Sequence, residues 1–185
     1  MKTLLIVGND KFSGRAIEYL GTQNKQVMIV VDSSTNIRRV FHLLCKKRIS
    51  FQLLCKMMFC SVLRKGRRPA LAYDKISSNK GLQSIINENC IELVILFRAG
   101  LLINAETLAM GVPILNIHCA KLPEYGGLGA IQKALLEGAY MQAATLHVVT
   151  KSIDNGKTLD TEPYSLDTEK SYCENEDVAY QAGID

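Results

Sequence analysis

The stretch that decides the fold is "VPILNIHCAKLPEYGG", residues 112–127. Its first part is an apolar run of the length of a buried strand, and its second part is a turn that contains Pro and Gly. Asn116 and His118 stand where the run ends, and two residues that lie two apart on a strand point to the same face. The pattern therefore predicts a buried strand with a paired Asn and His at its carboxyl end.

Similar apolar runs lie on both sides of this stretch and alternate with helical patterns. Predicted strands span 2–8, 26–32, 91–97, 112–118, 143–150 and 157–166. Predicted helices span 14–22, 80–90, 105–111 and 129–139. This alternation indicates an α/β fold with a mostly parallel central sheet and helices on both faces. Ligands of such sheets bind at the carboxyl ends of the strands, which is where Gly8, Arg98, Asn116 and His118 fall.

Length and composition are those of one globular domain, and we expect residues 1–185 to form it. The six Cys are scattered without a CxxC pair, and the amino-terminal apolar run is too short for a secretory signal. These features predict reduced thiols and a cytoplasmic protein. No metal site is predicted, because no two Cys or His fall at ligand spacing.

The net charge of +4 conceals a basic segment. Ten of the 22 Lys and Arg, and none of the 18 Asp and Glu, lie between Ser33 and Tyr73, so the remainder carries a net charge of −6. Residues 37–68 also have a helical, very apolar pattern, too interrupted to span a bilayer. Three interpretations stay open: a solvated helical excursion, a surface for an anionic substrate, and peripheral membrane or nucleic-acid contact. The segment lacks aromatic residues interleaved for base stacking, which disfavours nucleic acid.

The polar residues at the predicted strand ends suit acyl transfer. An Asn amide can donate a hydrogen bond to a developing oxyanion, and a His can donate a second bond or move a proton. Asp154, in the loop after strand 143–150, supplies a carboxylate that can accept a proton from an amine. Cys119 alternates to the other face of its strand, and no Ser is placed as a nucleophile. We therefore predict direct attack by a substrate amine without a covalent enzyme intermediate.

Five motifs in order resemble the formyltransferase family that uses 10-formyltetrahydrofolate. They are "NIH" (116–118), "LPEYGG" (122–127), "AIQKALLEG" (130–138), "TLH" (145–147) and "DNG" (154–156). The resemblance extends from about residue 92 to 166 and implies a Rossmann-like formyltransferase fold. It also implies transfer of a formyl group from the folate to an amine.

The resemblance assigns roles to individual residues. Asn116, His118 and Asp154 match the catalytic trio, and His147 matches a buried histidine beside it. The segment "FRAGLLIN" (97–104) matches the part of the family that holds the pterin ring. The implied folate-binding residues are Gly100, Leu101, Leu102, Thr150 and Ile153. The predicted acceptor-binding residues are Asn9, Lys11, Arg38, Arg39, Tyr125 and His147.

Departures from the family pattern indicate which branch of the family, and hence which acceptor, this chain resembles. Gly126 stands where many members have Arg, so the turn lacks one cation. The opening "VGNDKFSG" (7–14) is not a GxGxxG dinucleotide motif and resembles the tRNA and sugar branches more than the glycinamide ribonucleotide branch. The stretch with Cys-Ala after His118 is most similar to sugar N-formyltransferases. We expect a nucleotide-linked amino sugar as acceptor, with glycinamide ribonucleotide or methionyl-tRNA as alternatives. A folate- or nucleotide-binding module without catalysis is a further alternative, because the chain ends soon after Leu166 and looks truncated. A homodimer stays open.

Overall fold

The protein is an α/β sheet structure flanked by helices. The computed structural model describes residues 1–23, 27–34, 40, 44–46, 50–64, 66, 68–69 and 72–185, with the backbone alone for 21–23. The strands are β1 (Thr3–Val7), β2 (Val27–Asp32), β3 (Asp74–Ile76), β4 (Leu93–Phe97), β5 (Ile114–His118), β6 (Met141–Val148) and β7 (Thr158–Ser165). The helices are α1 (Lys11–Gln23), α2 (Phe51–Leu63), α3 (Asn79–Asn89), α4 (Ala105–Leu108), α5 (Ala130–Leu136) and α6 (Tyr172–Ala182).

The strands form one sheet in the order β3-β2-β1-β4-β5-β6-β7. The first five are parallel, whereas β6 runs antiparallel to β5, and β7 runs antiparallel to β6. The predicted mostly parallel α/β fold is therefore confirmed. The carboxyl ends of β1, β4 and β5 lie side by side at one edge of the sheet. The polar residues Arg98, Asn116 and His118 were predicted to lie at this edge.

Both faces of the sheet are covered, as the continuous apolar strands predict. Leu4 and Ile6 of β1 pack in one buried cluster, and Leu5 and Val7 pack in another. Successive strand side chains point to opposite faces, so these two clusters are the two sides of the sheet. A rigid, doubly covered sheet gives the loops at its carboxyl edge a fixed support.

Two elements go beyond the predicted set. The short strand β3 extends the parallel part of the sheet at its far edge. Helix α6 begins with a capping box, in which Ser171 accepts from the Glu174 amide and the Glu174 carboxylate accepts from the Ser171 amide. Ala179 and Ala182 of α6 are buried against the β6–β7 side of the sheet. The residues after Leu166 are thus integral to the fold.

Helix α2 lies within the predicted basic segment, residues 37–68. Ser50 caps its amino end by accepting from the Leu53 amide. Across the part of the chain that the structure describes, no helix is long and apolar enough to cross a membrane. Arg38 and Arg39, predicted to bind the acceptor, lie outside the described residues.

The prediction that all six cysteines are reduced is wrong for two of them. Cys60 of α2 and Cys173 of α6 form a disulfide across a sequence separation of 113 residues. Packing of α2 against α6 brings their Cα atoms to 5.3 Å, within the range that a disulfide requires. Cys45, Cys55, Cys90 and Cys119 are free thiols. A cytoplasmic location stays a prediction.

Candidate active site

The site is built where β5 meets the antiparallel strand β6. Their register places Asn116 directly opposite His147 and His118 opposite Thr145. Asn116 Nδ2 lies 3.0 Å from His147 Nε2. The pairing of β6 with β7 shifts between Leu146 and His147, and such irregularities redirect a strand's side chains. The Asn-x-His pair of β5 therefore acquires a second histidine from the neighbouring strand.

Hydrogen bonding fixes the orientation of the Asn116 amide. His147 Nδ1 lies 3.1 Å from the Val148 carbonyl, which can only accept, so Nδ1 carries the proton. His147 Nε2 then accepts from one N–H of Asn116. An amide nitrogen has two N–H groups, so Asn116 retains a second donor. His147 is almost fully buried and acts here as a support for Asn116.

Asp154 reaches the same point from the loop after β6. Its backbone is left-handed, with φ 51°. A Cβ on Gly156 would lie 1.7 Å from the Val148 carbonyl oxygen, so this tight loop accepts only glycine there. The Gly127 amide donates to Asp154 Oδ2 at 2.7 Å. This loop and the turn of residues 122–127, called the glycine turn below, thus hold the carboxylate between them.

His118 lies between the glycine turn and this carboxylate. Its Nε2 donates to the Tyr125 carbonyl at 2.8 Å, and its Nδ1 lies 3.7 Å from Asp154 Oδ2. The other oxygen, Asp154 Oδ1, lies 3.6 Å from His147 Nε2. The structure therefore brings the predicted trio Asn116, His118 and Asp154 together, with His147 beside them.

The electrostatics keep the Asp154 carboxylate charged. Burial raises the pKa of Asp154, but the nearby imidazoles of His147 and His118 and the hydrogen bond from the Gly127 amide together outweigh burial and hold this pKa below its ordinary value. Burial raises the pKa of Cys119 to about 11. Cys119 is therefore a neutral thiol, in agreement with its assignment away from nucleophilic catalysis.

The predicted folate segment follows β4 and is held by a buried acid. The amides of Gly100 and Leu101 donate to one carboxylate oxygen of Asp32, at 2.9 Å for Leu101. The Leu102 carbonyl accepts from Asn79 Nδ2 at 2.9 Å. The resemblance implies that backbone groups of this segment bind the pterin ring. In this structure, three of those groups bind Asp32 and Asn79, and these bonds fix the shape of the segment.

Thr150 and Ile153 lie on the other side of β5, in the loop after β6, and both side chains are exposed. Because β6 runs antiparallel to β5, this loop begins beside the amino end of β5, where the Val149 amide donates to the Ile114 carbonyl. The segment after β4 lies at the carboxyl end of β5. That the two segments form opposite walls of a folate pocket stays a prediction. Tyr125 lies in the glycine turn, where its phenol donates to Glu137 Oε2 at 3.1 Å.

The predicted acceptor residues of the first turn lie on the β1 side of the edge. Asn9 is exposed. Lys11 Nζ donates to the Val62 carbonyl at 3.2 Å and to the Arg64 carbonyl, so it binds the carboxyl end of α2. Lys11 therefore stands at a helix terminus, where a cation is favourable. The hydrogen bonds of Lys11 thus go to α2 and not to the trio.

Sequence reasoning missed the role of Asp32. It ends the apolar run of β2, and its carboxylate is buried. An acid at the end of a buried strand is the signal that could have identified it, because a buried carboxylate needs donors. Here those donors are two amides of the predicted folate segment, on Oδ2, and the Ser34 amide, which donates to Oδ1 at 2.7 Å.

The fold is shared with solved formyltransferase structures. Residues 3–174 match the sequence model of the formyl transferase family, and the chain belongs to that family. The resemblance drawn from the five motifs is thereby confirmed.

Individual relatives differ in their named activities. A formyltetrahydrofolate deformylase from Mycobacterium bovis is 32% identical over 78 residues, covering 42% of this chain and 25% of the relative. The chain thus matches about a quarter of that curated relative. A phosphoribosylglycinamide formyltransferase from Anaplasma phagocytophilum has a TM-score of 0.67 at 18% identity, covering 98% of this chain and 79% of that one. A candidate sugar N-formyltransferase from Mycobacterium tuberculosis has a TM-score of 0.65 at 15% identity, covering 98% and 64%. At these identities the structures show the shared fold.

Proposed function

We propose that this protein is an N-formyltransferase that moves a formyl group from 10-formyltetrahydrofolate to the amine of a nucleotide-linked amino sugar. The observation that carries the proposal is the convergence of Asn116, His118, His147 and Asp154 at the end of β5. An amide donor, an imidazole and a charged carboxylate in one place are the groups that acyl transfer requires. Members of this family use 10-formyltetrahydrofolate as the formyl donor.

In the proposed reaction the acceptor amine attacks the formyl carbon. A bond forms between the amine nitrogen and that carbon, and the bond from the carbon to the folate nitrogen breaks. The proton lost by the amine passes by way of Asp154 to the leaving folate nitrogen. The second N–H of Asn116 donates to the formyl oxygen as negative charge develops on it.

His118 is expected to act after a local exchange of partners. Its Nε2 donates to the Tyr125 carbonyl in this structure. A bound formyl group would have to replace that carbonyl for the imidazole to donate to the formyl oxygen. Asp154, 3.7 Å from Nδ1, would stabilise the protonated ring during that step.

The acceptor class rests on the sequence departures and on one relative's description. The motif "NIHCAKLPEYGG" (116–127) resembles that of sugar N-formyltransferases, and a candidate member of that group shares the fold. A second candidate function is hydrolysis of 10-formyltetrahydrofolate, in which water takes the place of the amine. The 32% identity to a deformylase favours that candidate.

The test is an acceptor panel. The protein is incubated with 10-formyltetrahydrofolate and nucleotide-linked amino sugars, glycinamide ribonucleotide, methionyl-tRNA or no amine. Release of tetrahydrofolate and the mass of the formylated product are measured. We expect release that depends on an amino sugar nucleotide and that Asn116→Ala suppresses.

Each other outcome has one meaning. Turnover with glycinamide ribonucleotide or methionyl-tRNA alone would contradict the sugar acceptor and retain formyl transfer. Release at the same rate without an amine would identify a deformylase. Calorimetry with a non-reactive folate analogue covers the last case, because tight binding without any turnover would identify a non-catalytic folate-binding module.

A further inference from the structure

The outward face of α2 is apolar and exposed. The side chains of Phe51, Met58, Phe59, Val62 and Leu63 are between 60% and 76% exposed. Residues 51, 58 and 62 recur at helical spacing, so they form one ridge, which 59 and 63 widen. Contiguous exposed apolar side chains of this size mark an interaction surface.

The opposite face of α2 is fixed to the rest of the protein. Leu53 is buried and lies against Gly129, and Cys60 is joined to Cys173 of α6. Just after the helix, Arg64 binds Glu176 at 2.7 Å and Asp177 at 2.8 Å. Because these contacts hold one side of α2 in place, the apolar ridge projects as a fixed, convex feature.

The sequence segment that contains α2 carries charge of one sign. The sequence places "KKR" (46–48) shortly before α2 and "RKGRR" (64–68) directly after it. Lys46 and Arg68 are exposed. No Asp or Glu occurs between Ser33 and Tyr73, although the rest of the chain carries a net charge of −6. In the sequence, Lys and Arg therefore stand on both sides of α2, and of the described ones Lys46 and Arg68 are exposed, whereas Arg64 is paired.

We propose that α2 is a peripheral membrane-binding helix whose ridge inserts into the interface of an anionic phospholipid bilayer. A bilayer offers apolar tails below a negatively charged surface, which is the complement of an apolar ridge flanked by Lys and Arg. At about 20 Å, the length of 13 residues, α2 can lie in the interface but cannot span it. A convex ridge also fits a deformable bilayer without a matching groove. Among the interpretations left open for segment 37–68, the exposed ridge favours membrane contact.

The test measures co-sedimentation of the full chain with lipid vesicles. Vesicles of phosphatidylcholine alone are compared with vesicles that contain phosphatidylserine at about three lipids in ten, at low and at high salt. We expect binding to the anionic vesicles alone and weaker binding as salt increases. The double substitution F59E/V62E should weaken that binding about tenfold or more, because it puts carboxylates on the inserted face.

The double substitution L136E/L159E is the matched control, because it adds the same two negative charges outside α2. Leu136 is 78% exposed at the end of α5 and Leu159 is 48% exposed on β7, and their substitution should leave vesicle binding unchanged. Thermal melts of all three proteins establish that each is folded. An absence of vesicle binding, or equal binding to neutral and anionic vesicles, would overturn the proposal. Dimerisation in sedimentation analysis that F59E/V62E abolishes, without vesicle binding, would show that a second copy covers the ridge and would also overturn it.

Discussion

The carboxyl edge of the sheet has two sides that use polar residues differently. On the β5–β6 side, Asn116 and Asp154 both lie beside His147, and the Gly127 amide donates to Asp154. Among the described residues, no Lys or Arg hydrogen-bonds or pairs with these side chains. On the β1–α2 side, Arg64 binds two carboxylates, and Arg98 binds Asp10. Both guanidinium groups also lie over aromatic rings: the Cζ atom is 3.9 Å from the ring centroid of Phe12 for Arg64 and of Tyr180 for Arg98.

This difference separates residues suited to chemistry from residues that hold the fold. An Asn and a carboxylate that are oriented but not neutralised keep capacity for a reacting ligand. Charges already paired with opposite charges contribute mainly to architecture. The predicted role of Lys11 assumed an available ammonium group, whereas the structure places that group on the carboxyl end of α2.

The largest expected effect tests the architectural side. Arg64→Ala would leave Glu176 buried without its cation and should lower the free energy of unfolding by about 3–5 kcal/mol. Arg15→Ala is the matched control, because Arg15 pairs with Asp177 at 3.7 Å while both side chains are over a third exposed. Its loss should stay within about 1 kcal/mol. Urea unfolding measures both, and similar small losses would contradict the distinction.

The next effect tests the chemical side. Asn116→Ala should lower kcat about a hundredfold or more, the usual loss for one oxyanion donor, while the folate KM changes little. Steady-state rates of tetrahydrofolate release measure it, with the exposed Asn87→Ala of α3 as control. A higher folate KM at unchanged kcat would mean that Asn116 only positions the folate.

The disulfide gives a third test, on the α2 side. Replacing Cys60 and Cys173 by Ala should lower the free energy of unfolding by about 2–4 kcal/mol, because the bridge closes a long loop in the unfolded chain. The exposed free cysteine Cys55, changed to Ser, is the control. Alkylation of the denatured protein without reductant, read by mass spectrometry, should leave two cysteines unmodified. Six modified cysteines would show that the bridge is absent.

Features that depend on residues close together in the sequence were predicted, whereas features that depend on contacts between distant residues were not. Asn116 and His118 were identified because the apolar run and the turn that follows it both lie in one stretch of 16 residues, 112–127. The antiparallel pairing that sets His147 against Asn116 depends on register between separate strands. The partners of Lys11 and Cys60 lie 53 and 113 residues away and are chosen by helix packing. Helix α6 is an exception, since its Ser-x-x-Glu capping box was readable and was missed.

A smaller effect follows from the charge state of Asp154. Its pKa is lower in the folded protein than its ordinary value, so the carboxylate contributes stability above the unfolded pKa and loses it as pH falls through the folded one. Asp154→Asn removes this contribution. The unfolding free energies of the two proteins should therefore differ most near neutral pH and converge in acid. Urea unfolding from about pH 7 to about pH 3 measures it, and a pH-independent difference would contradict it.

The smallest expected effect asks whether any cation near the first turn serves the acceptor. Arg64 and Arg98 are paired, and Lys11 is bound to α2, so Arg38 and Arg39, which follow β2 in sequence, are the strongest remaining acceptor-binding candidates. The double change of both to Ala should raise the acceptor KM severalfold at low salt and spare the folate KM. The effect should shrink as salt is added, because exposed charge pairs are screened.

The control for this last experiment removes the same charge elsewhere, by changing the exposed residues Lys2 and Lys170 to Ala. If both double variants raise the acceptor KM equally, the cause is the net charge of the protein and not a binding site. If Arg38→Ala with Arg39→Ala leaves the acceptor KM unchanged at low salt, these arginines do not bind a diphosphate. The acceptor then need not carry a phosphate, and the basic segment is left to the membrane-binding role proposed for α2.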